Sequence, residues 1–279
     1  MENNKPRTLE STTYQPLERY FLEISYDGGC YAGWQIQPNA LTVQEVMQKT
    51  LSKLYAGLPI HVLGASRTDT GVHALGFAAS FLVPERPYIP CGKLMEILNR
   101  QLPPSIRIRC AKKVPLEFHA RYDAAGKAYT YVFNRGVETP FSNRYSWSCR
   151  RDLDFDLMAA AAQLFVGTMD FSSFVVERRE IDDAVRTILR AEKQEFGNYV
   201  CFTFVGTGFL YKMVRCLIGA LEAAGAGKVS LSELAGIIEA RQRVIAPDTA
   251  PPHGLFLVKT FFSPEELAAF KLEKVPFYY

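Results

Sequence analysis

The run around which this chain is organised reads Gly64-Ala65-Ser66-Arg67-Thr68-Asp69-Thr70-Gly71-Val72-His73-Ala74-Leu75-Gly76. Apolar segments flank it, Ile60-His61-Val62-Leu63 before and Phe77-Ala78-Ala79-Ser80-Phe81-Leu82-Val83 after. Residues two apart in an extended segment share a side, so Arg67 and Asp69 are predicted to face the same space. A nearby cation favours the charged form of a carboxylate. Asp69 is therefore a candidate for an ionised carboxylate in a confined place.

The same residues allow a simpler interpretation, because Asp-x-Gly between two strands is a common turn sequence. Turn chemistry alone favours that interpretation. The complete run, Arg67-Thr68-Asp69 followed by Gly71-Val72-His73-Ala74, favours a functional loop instead. His73 is interpreted as a structural histidine, and Asp27 and Asp170 as residues that brace turns.

Length and composition suit two domains without a membrane span. The chain has 279 residues, 48% of them hydrophobic, and a formal net charge of +3 at pH 7. No apolar run approaches the roughly 18 residues of a membrane helix, and the start has no apolar signal core, which predicts a cytoplasmic protein. The six cysteines form no Cys-x-x-Cys pair, which disfavours zinc and disulfide scaffolds and predicts buried free thiols.

Hydrophobic periodicity predicts a similar order of elements in each half of the chain. In the first half, strands are predicted at 19–26, 60–66, 76–83 and 106–110, and helices at 43–55 and 91–102. In the second half, strands are predicted at 127–134, 184–196, 199–205 and 255–260, and helices at 155–165, 210–224 and from Ser230 and Pro264. The order β-α-β-β-α-β is the ferredoxin-like arrangement, which the second half repeats more loosely.

We therefore predict an α+β fold of two tandem ferredoxin-like halves, with antiparallel sheets and a cleft between the halves. Residues 1–17 are polar and aperiodic, which predicts a flexible N-terminal tail. Periodicity breaks near 113–122, so residues 18–115 are predicted to form an N-terminal domain with the Asp69 loop, and residues 116–279 a C-terminal domain. A cleft between two such units is a natural place for a ligand.

Several ordered motifs resemble the TruA family of tRNA pseudouridine synthases. The Asp69 loop matches the family pattern Gly-Arg-Thr-Asp-x-Gly-Val-His-Ala, with Ser66 in place of its first glycine. Met169 stands where the family usually has histidine. The other matching segments are Tyr26-Asp27-Gly28-Gly29 with Gly33-Trp34-Gln35 and Thr42-Val43-Gln44, Phe118-His119-Ala120-Arg121 with Lys127-Ala128-Tyr129-Thr130-Tyr131, Asp170-Phe171-Ser172-Ser173-Phe174, Gly208-Phe209-Leu210-Tyr211-Lys212-Met213-Val214-Arg215, and Ala250-Pro251-Pro252-His253-Gly254-Leu255.

The resemblance implies an isomerase that converts uridine to pseudouridine at nucleotides 38–40 of the tRNA anticodon arm. The uracil is detached from C1′ through N1 and rejoined through C5, so nothing is oxidised or reduced and no cofactor or metal is implied. Asp69 takes the place of the family's nucleophile, and a carboxylate can either attack carbon or stabilise positive charge on the ribose. A homodimer without membrane contact is implied as well.

The resemblance also implies substrate contacts for Tyr129, Arg67, Arg215 and Leu210. Arg215 would pair with the carboxylate of Asp69, although a surface arginine whose stem covers apolar area is an alternative. Tyr129 would stack on the target uracil and help remove a proton, or serve only as a core aromatic. Arg67 would hold the backbone of the flipped nucleotide and fill the vacated place, or form a plain salt bridge.

Clusters of basic residues surround these motifs in the sequence. We expect some of them to bind RNA phosphates, although charged runs usually just face solvent. They are Lys112-Lys113, Arg150-Arg151, Arg178-Arg179, Arg107, Arg109, Arg186 and Arg190. Two rival functions stay open: a module that binds RNA without altering it, and a carboxylate glycosidase that releases free base. The sequence lacks the Gly-Phe-Gly-Phe-Val core of an RRM-type module.

Overall fold

The chain forms a mixed α+β structure. The computed structural model describes residues 13–149, 152–176 and 183–278. The strands in these ranges are β1 (Pro16–Tyr26), β2 (Val62–Gly64), β3 (His73–Pro84), β4 (Ile106–Val114), β5 (Gly126–Asn134), β6 (Trp147–Ser148), β7 (Gly167–Asp170), β8 (Val185–Phe196), β9 (Tyr199–Gly206) and β10 (Leu255–Phe261). The helices are α1 (Val43–Leu54), α2 (Cys91–Gln101), α3 (Phe155–Gln163), α4 (Met213–Gly225), α5 (Leu231–Ala240) and α6 (Pro264–Ala269). Over the same ranges, no helix has both the length and the apolar character to cross a membrane.

One mostly antiparallel sheet contains all of these strands. Its main path runs β4-β1-β3-β10-β5-β9-β8-β7, with β2 paired to β3 and β6 paired to β5. The strands β3 and β10 run parallel, with Phe256 opposite His73 and Leu257 opposite Ala74. This short pairing joins into one sheet what the sequence predicted as a separate sheet in each half. Pairing between strands so far apart in the chain leaves no periodic signal in either segment.

Local sequence signals set the starts of several helices. The Thr42 side chain accepts a hydrogen bond from the Glu45 N–H at the start of α1, and Ser230 with Glu233 forms a capping box at the start of α5. The helix α4 begins at Met213, three residues later than the predicted Leu210. Lys212 has a φ of 58°, which is outside the helical region, so the apolar periodicity of 210–212 belongs to a turn.

The N-terminal boundary and the thiols differ from the predictions. The strand β1 begins at Pro16, inside the predicted tail 1–17, and the Tyr14 hydroxyl donates to the Leu82 carbonyl at 2.8 Å. The rest of that tail, residues 1–12, lies outside the described residues. All six cysteines are free, but only Cys201 and Cys216 are buried, and Cys30 and Cys110 are exposed.

Both faces of the sheet are covered. A single apolar cluster extends under the helices through both halves of the chain, from Trp34 and Phe77 to Tyr131 and Leu217. On the other face, Phe256 and Val132 pack with residues of the C-terminal segment. Strands covered on both sides need apolar residues at successive positions, which agrees with the apolar and aromatic residues on both faces of β9.

Asp27 ties the first half of the chain to the second. Its carboxylate accepts hydrogen bonds from Arg144 Nε and from the Tyr145 hydroxyl, both at 3.0 Å, and from the Gly29 N–H. His73 Nδ1 lies 3.1 Å from the carboxylate and 3.0 Å from the Gly28 N–H. Burial disfavours the charged carboxylate, but these hydrogen bonds outweigh it and hold the pKa of Asp27 well below its usual range.

Candidate functional site

The candidate site is centred on the loop between β2 and β3, which presents Asp69. A tight turn closes the loop, because the Val72 N–H donates to the Asp69 carbonyl at 3.1 Å. The end of β1 and the segment between β1 and α1 support this loop. The hydroxyls of Tyr26 and Thr68 share a hydrogen bond at 2.8 Å, and the Trp34 N–H donates to the Thr68 carbonyl at 3.2 Å. Residues more than thirty positions earlier in the chain therefore hold the backbone next to Asp69 in place.

The glycine of Gly33-Trp34-Gln35 has a structural reason in this support. Gly33 has a φ of 81°, and a Cβ at this position would lie 2.3 Å from the Thr68 carbonyl oxygen. Any side chain here would therefore push the Asp69 loop away or strain the backbone. This close approach accounts for a motif that the sequence showed but did not explain.

Asp69 and Arg215 form a nearly buried ion pair. Arg215 Nη1 lies 2.9 Å from Asp69 Oδ2, and the two side chains are 13% and 8% exposed, respectively. Arg215 Nε also donates to the Ala250 carbonyl at 2.8 Å, and the Ala250 N–H donates back to the Arg215 carbonyl at 3.0 Å. The predicted pairing of these side chains is thus present. The guanidinium is fixed from two sides, so its orientation towards the carboxylate is set before any ligand binds.

Burial and nearby cations act on Asp69 in opposite directions. Burial raises the pKa of the Asp69 carboxyl, and the hydrogen bond and charge of Arg215, together with the charge of Lys212, oppose that rise. The cation beside Asp69 is therefore Arg215 and not Arg67, which the spacing in the loop had suggested. Such a carboxylate is poorly hydrated and depends mainly on the Arg215 guanidinium for compensation.

Tyr129 lies beside this pair. Its hydroxyl shares a hydrogen bond with Ser66 Oγ at 2.8 Å, and its ring meets the Phe209 ring edge-on at 5.0 Å. The residue is only 5% exposed. Burial raises the pKa of the Tyr129 phenol, the Ser66 hydrogen bond lowers it, and the charge of Asp69 raises it again. The phenol is therefore held in its neutral form at physiological pH, next to a carboxylate.

The other two predicted contacts are placed differently. Arg67 is exposed and forms no hydrogen bond or ion pair with any residue in the described ranges. Leu210 is half-buried and packs against the apolar core, and its carbonyl accepts from the Met213 N–H at 3.2 Å. The structure thus brings together Asp69, Arg215 and Tyr129, leaves Arg67 free at the surface, and places Leu210 in the turn before α4.

Several predicted phosphate-binding residues make contacts within the protein. Arg107 donates to the carbonyls of Pro103 and Ile106, Arg190 donates to those of Leu267 and Phe270, and Lys113 pairs with Glu18. Lys112 and Arg109 are exposed. The pairs Arg150-Arg151 and Arg178-Arg179 lie outside the described residues.

Sequence reasoning missed four contributors to this site: Ser66, Phe209, Lys212 and the Ala250 carbonyl. Ser66 was noted only as a departure from the glycine of the family pattern, whereas its hydroxyl reaches Tyr129, 63 positions away. Phe209 and Ala250 lay within quoted motifs, but nothing in the sequence showed what they contact. No group of three or more potential metal ligands occurs among the residues that the structure covers.

Comparison with known proteins places these motifs in one family. The chain matches the family described as tRNA pseudouridine synthase over residues 23–123 and 161–263. The similar proteins include three named tRNA pseudouridine synthase A. The protein of Exiguobacterium sibiricum is 41% identical to this chain, and the match covers 88% of this chain and 97% of that protein. The protein of Halalkalibacterium halodurans is 42% identical, with 86% of this chain and 90% of that protein covered. The protein of Acetivibrio thermocellus is 40% identical, with 86% of this chain and 98% of that protein covered.

Among solved structures, a chain in the crystal structure of the archaeal box H/ACA sRNP Nop10-Cbf5 complex matches with a TM-score of 0.35 and 13% identity. That match covers 74% of this chain and 43% of the other, and it is too distant to carry an argument. The match to the family, by contrast, includes the Asp69 loop, Arg215 and most of the sheet. The chain therefore belongs to the tRNA pseudouridine synthase family.

Proposed function

We propose that this protein isomerises uridine to pseudouridine in tRNA, at nucleotides 38–40 of the anticodon stem-loop, with Asp69 as the nucleophile. The observation that carries the proposal is the Asp69–Arg215 pair at 2.9 Å, placed beside Tyr129 in a chain of this family. A nearly buried carboxylate with one fixed cation is a reactive group and a poor structural brace, because the pair costs desolvation energy. The proposed place of action is the cytoplasm.

The reaction needs one bond to break and one to form at C1′ of the ribose. On the covalent route, an Asp69 oxygen bonds to C1′ while the C1′–N1 electron pair leaves with the uracil. The detached uracil turns, its C5 attacks C1′, and the carboxylate is released. C5 then loses its proton and N1 gains one, so substrate and product have the same composition. On the alternative route, Asp69 stabilises positive charge on C1′ without a covalent bond.

Arg215 and Tyr129 have separate roles in this proposal. Arg215 compensates the Asp69 charge, so that a carboxylate whose pKa burial raises is still available as an anion. Tyr129 offers an aromatic ring for the uracil to stack on. Because burial raises the pKa of its phenol, the neutral ring suits stacking and hydrogen-bond donation better than it suits proton abstraction.

Arg67 is proposed to hold the RNA. It is exposed and has no partner among the described residues, so its guanidinium is available to a phosphate or to the gap that a flipped nucleotide leaves. Extruding a base costs a few kcal/mol of lost stacking and pairing, which such a contact offsets. Leu210, in the turn before α4, is proposed as an apolar substrate contact.

We also propose that each half of the chain is a ferredoxin-like domain, with the predicted ranges 18–115 and 116–279 and the first of them extended to Pro16, where β1 begins. The neighbour order β4-β1-β3-β2 in the first half and β10-β5-β9-β8 in the second supports this, since both follow one pattern. A homodimer is proposed as well. The exposed apolar side chains of Val137 and Phe141, 84% and 85% exposed, support a further contact surface, and sedimentation analysis tests it.

Nucleoside analysis of treated tRNA tests the proposed reaction. Purified protein is incubated with unmodified tRNA, and the digested nucleosides and any released base are separated and identified. Pseudouridine from the wild type and none from Asp69→Asn supports the proposal. Bound but unchanged tRNA would support the rival RNA-binding module, and free uracil would support the rival glycosidase. Mapping pseudouridines in tRNA from cells lacking the protein then tests the positions.

A further inference from the structure

Lys127 is a buried lysine that no acidic side chain of the described residues pairs with. It lies on β5, two residues before Tyr129 and on the same face of the sheet, and it is only 7% exposed. Within the described ranges its ammonium group forms neither a hydrogen bond nor an ion pair. Lysines are almost never this buried without a partner, because the ammonium loses its hydration. Such a position favours binding of an anion from outside the chain.

The ammonium of Lys127 is not sealed off from solvent. Among the described residues, the Tyr55 hydroxyl is the one fully buried side-chain nitrogen or oxygen without a partner, so the Lys127 Nζ keeps some contact with water. The burial of Lys127 is therefore mainly that of its aliphatic stem, and its charged end is the part that retains exposure.

The surroundings place Lys127 next to the Tyr129 ring. Lys127 is opposite Gly206 in the β5–β9 pairing. A Cβ at Gly206 would lie 3.1 Å from Cζ of Phe209, which is the ring that packs against Tyr129. The absence of a side chain at residue 206 thus leaves Phe209 close to both Lys127 and Tyr129. Lys127 and Tyr129, the predicted uracil-stacking residue, therefore lie side by side on one face of the sheet.

Two arginines share the region with Lys127. Arg186 is half-buried, and its Cδ lies 3.7 Å from where a Cβ of Gly208 would be. Arg121 is exposed. Burial and the charge of Arg121 lower the pKa of Lys127 to about 8. Burial and the charge of Arg121 also lower the pKa of Arg186, and the charge of Asp183 opposes that effect. Arg121 is thus close enough to act on both of the other cations, and such a group of cations favours binding of an anion.

We propose that Lys127, Arg121 and Arg186 bind a phosphate of the RNA backbone adjoining the nucleotide that is held at Tyr129. This inference rests on the proposed function in that it takes the substrate to be RNA. Every internal nucleotide has a phosphate on its 5′ and its 3′ side, so a base that stacks on the Tyr129 ring necessarily brings a phosphate with it. Ammonium and guanidinium groups donate charge-assisted hydrogen bonds to phosphate oxygens, and this would compensate the buried charge of Lys127.

The salt dependence of RNA binding tests the site directly. The dissociation constant of unmodified tRNA is measured at several KCl concentrations for the wild type, Lys127→Met and Arg121→Met. Lys53→Met is the matched control, because Lys53 is an exposed lysine on α1. Removing one phosphate contact lowers the slope of log K against log salt by about 0.7–0.9. We expect that change in the first two variants and not in the control, with affinity about tenfold weaker at low salt.

Thermal unfolding of each variant separates folding from binding. If Lys127→Met does not fold, Arg121→Met decides the question, since Arg121 is exposed and its loss does not open the core. Wild-type salt slopes in every folded variant of these two residues would overturn the proposal. A changed slope in a protein that forms no pseudouridine would refute the proposed isomerisation and leave the phosphate site standing.

Discussion

Replacing Arg215 by methionine is the sharpest test of the site. Methionine keeps much of the stem and removes the guanidinium, so Asp69 loses the hydrogen bond at 2.9 Å and the Ala250 carbonyl loses its donor at 2.8 Å. The remaining carboxylate is 8% exposed, which leaves it with little water to replace the lost cation. The perturbation is therefore electrostatic first and structural second.

The size of the effect follows from the geometry. At 2.9 Å and an effective dielectric constant of about 20, the Coulomb attraction of the pair is about 6 kcal/mol. Breaking a buried pair from one side costs about 3–5 kcal/mol after relaxation. About 1.4 kcal/mol corresponds to a factor of ten in rate. If the variant must react with Asp69 ionised and unpaired, the cost of about 3–5 kcal/mol lowers kcat/KM about 150- to 5,000-fold. Protonation of Asp69 relieves part of the cost in the resting protein, so we expect the free energy of unfolding to fall by only about 1–3 kcal/mol.

The pH dependence gives a signature that a folding defect would not produce. Arg215 lowers the pKa of Asp69, so its removal raises that pKa further, and the ionised carboxylate then forms only at higher pH. Pseudouridine formation by Arg215→Met should therefore recover as the pH is raised, relative to the wild type. The assay is kcat/KM for tRNA across a pH series, together with urea unfolding of each protein.

Arg243→Met provides the matched control. Arg243 donates to the carbonyls of Ala246 and Pro247 and to the Thr249 hydroxyl, so its loss disturbs the same connection before β10 without touching Asp69. Near-normal kcat/KM for Arg215→Met, or a loss no larger than that of Arg243→Met with an unchanged pH profile, would refute the reasoning.

Three further predictions follow from contacts around the site. Tyr129→Phe keeps the ring and should lower kcat less than about tenfold, whereas a loss above about 100-fold would indicate proton transfer by the hydroxyl. Ser66→Ala removes the partner of that hydroxyl and should cost about 0.5–1.5 kcal/mol of unfolding free energy in urea; the cost should vanish in a Tyr129→Phe background, and its persistence there would contradict the pairing. Asp27→Asn should lower the free energy of unfolding by about 1–3 kcal/mol at pH 7. Because the folded-state pKa of Asp27 is depressed, that difference should shrink as the pH falls below about 4, and a constant difference in urea unfolding at both pH values would argue against it.

Much of the secondary structure was predictable because its signals are local. Thr42 and Ser230 accept the hydrogen bonds expected of N-caps, and the Gly197-Asn198 pair turns between β8 and β9, with Gly197 at a φ of 59°. The short strands β6 and β7 were not predicted. They are two and four residues long, too short to show a periodic pattern, and they exist because longer strands pair with them.

The amino-acid sequence by itself determined the catalytic candidate and the elements around it, since a motif, a cap or an alternating strand is written in neighbouring residues. It also indicated Asp69, Tyr129 and Arg215 as one set, although only through resemblance to a family. The tertiary structure decided which groups touch. It placed Arg215 against Asp69 across 146 positions, joined Ser66 to Tyr129, and buried Lys127 where no acidic side chain of the described residues pairs with it. Such contacts depend on how β3, β5, β10 and α4 pack together, and hydrogen bonding and desolvation act through distances in space that no local pattern records.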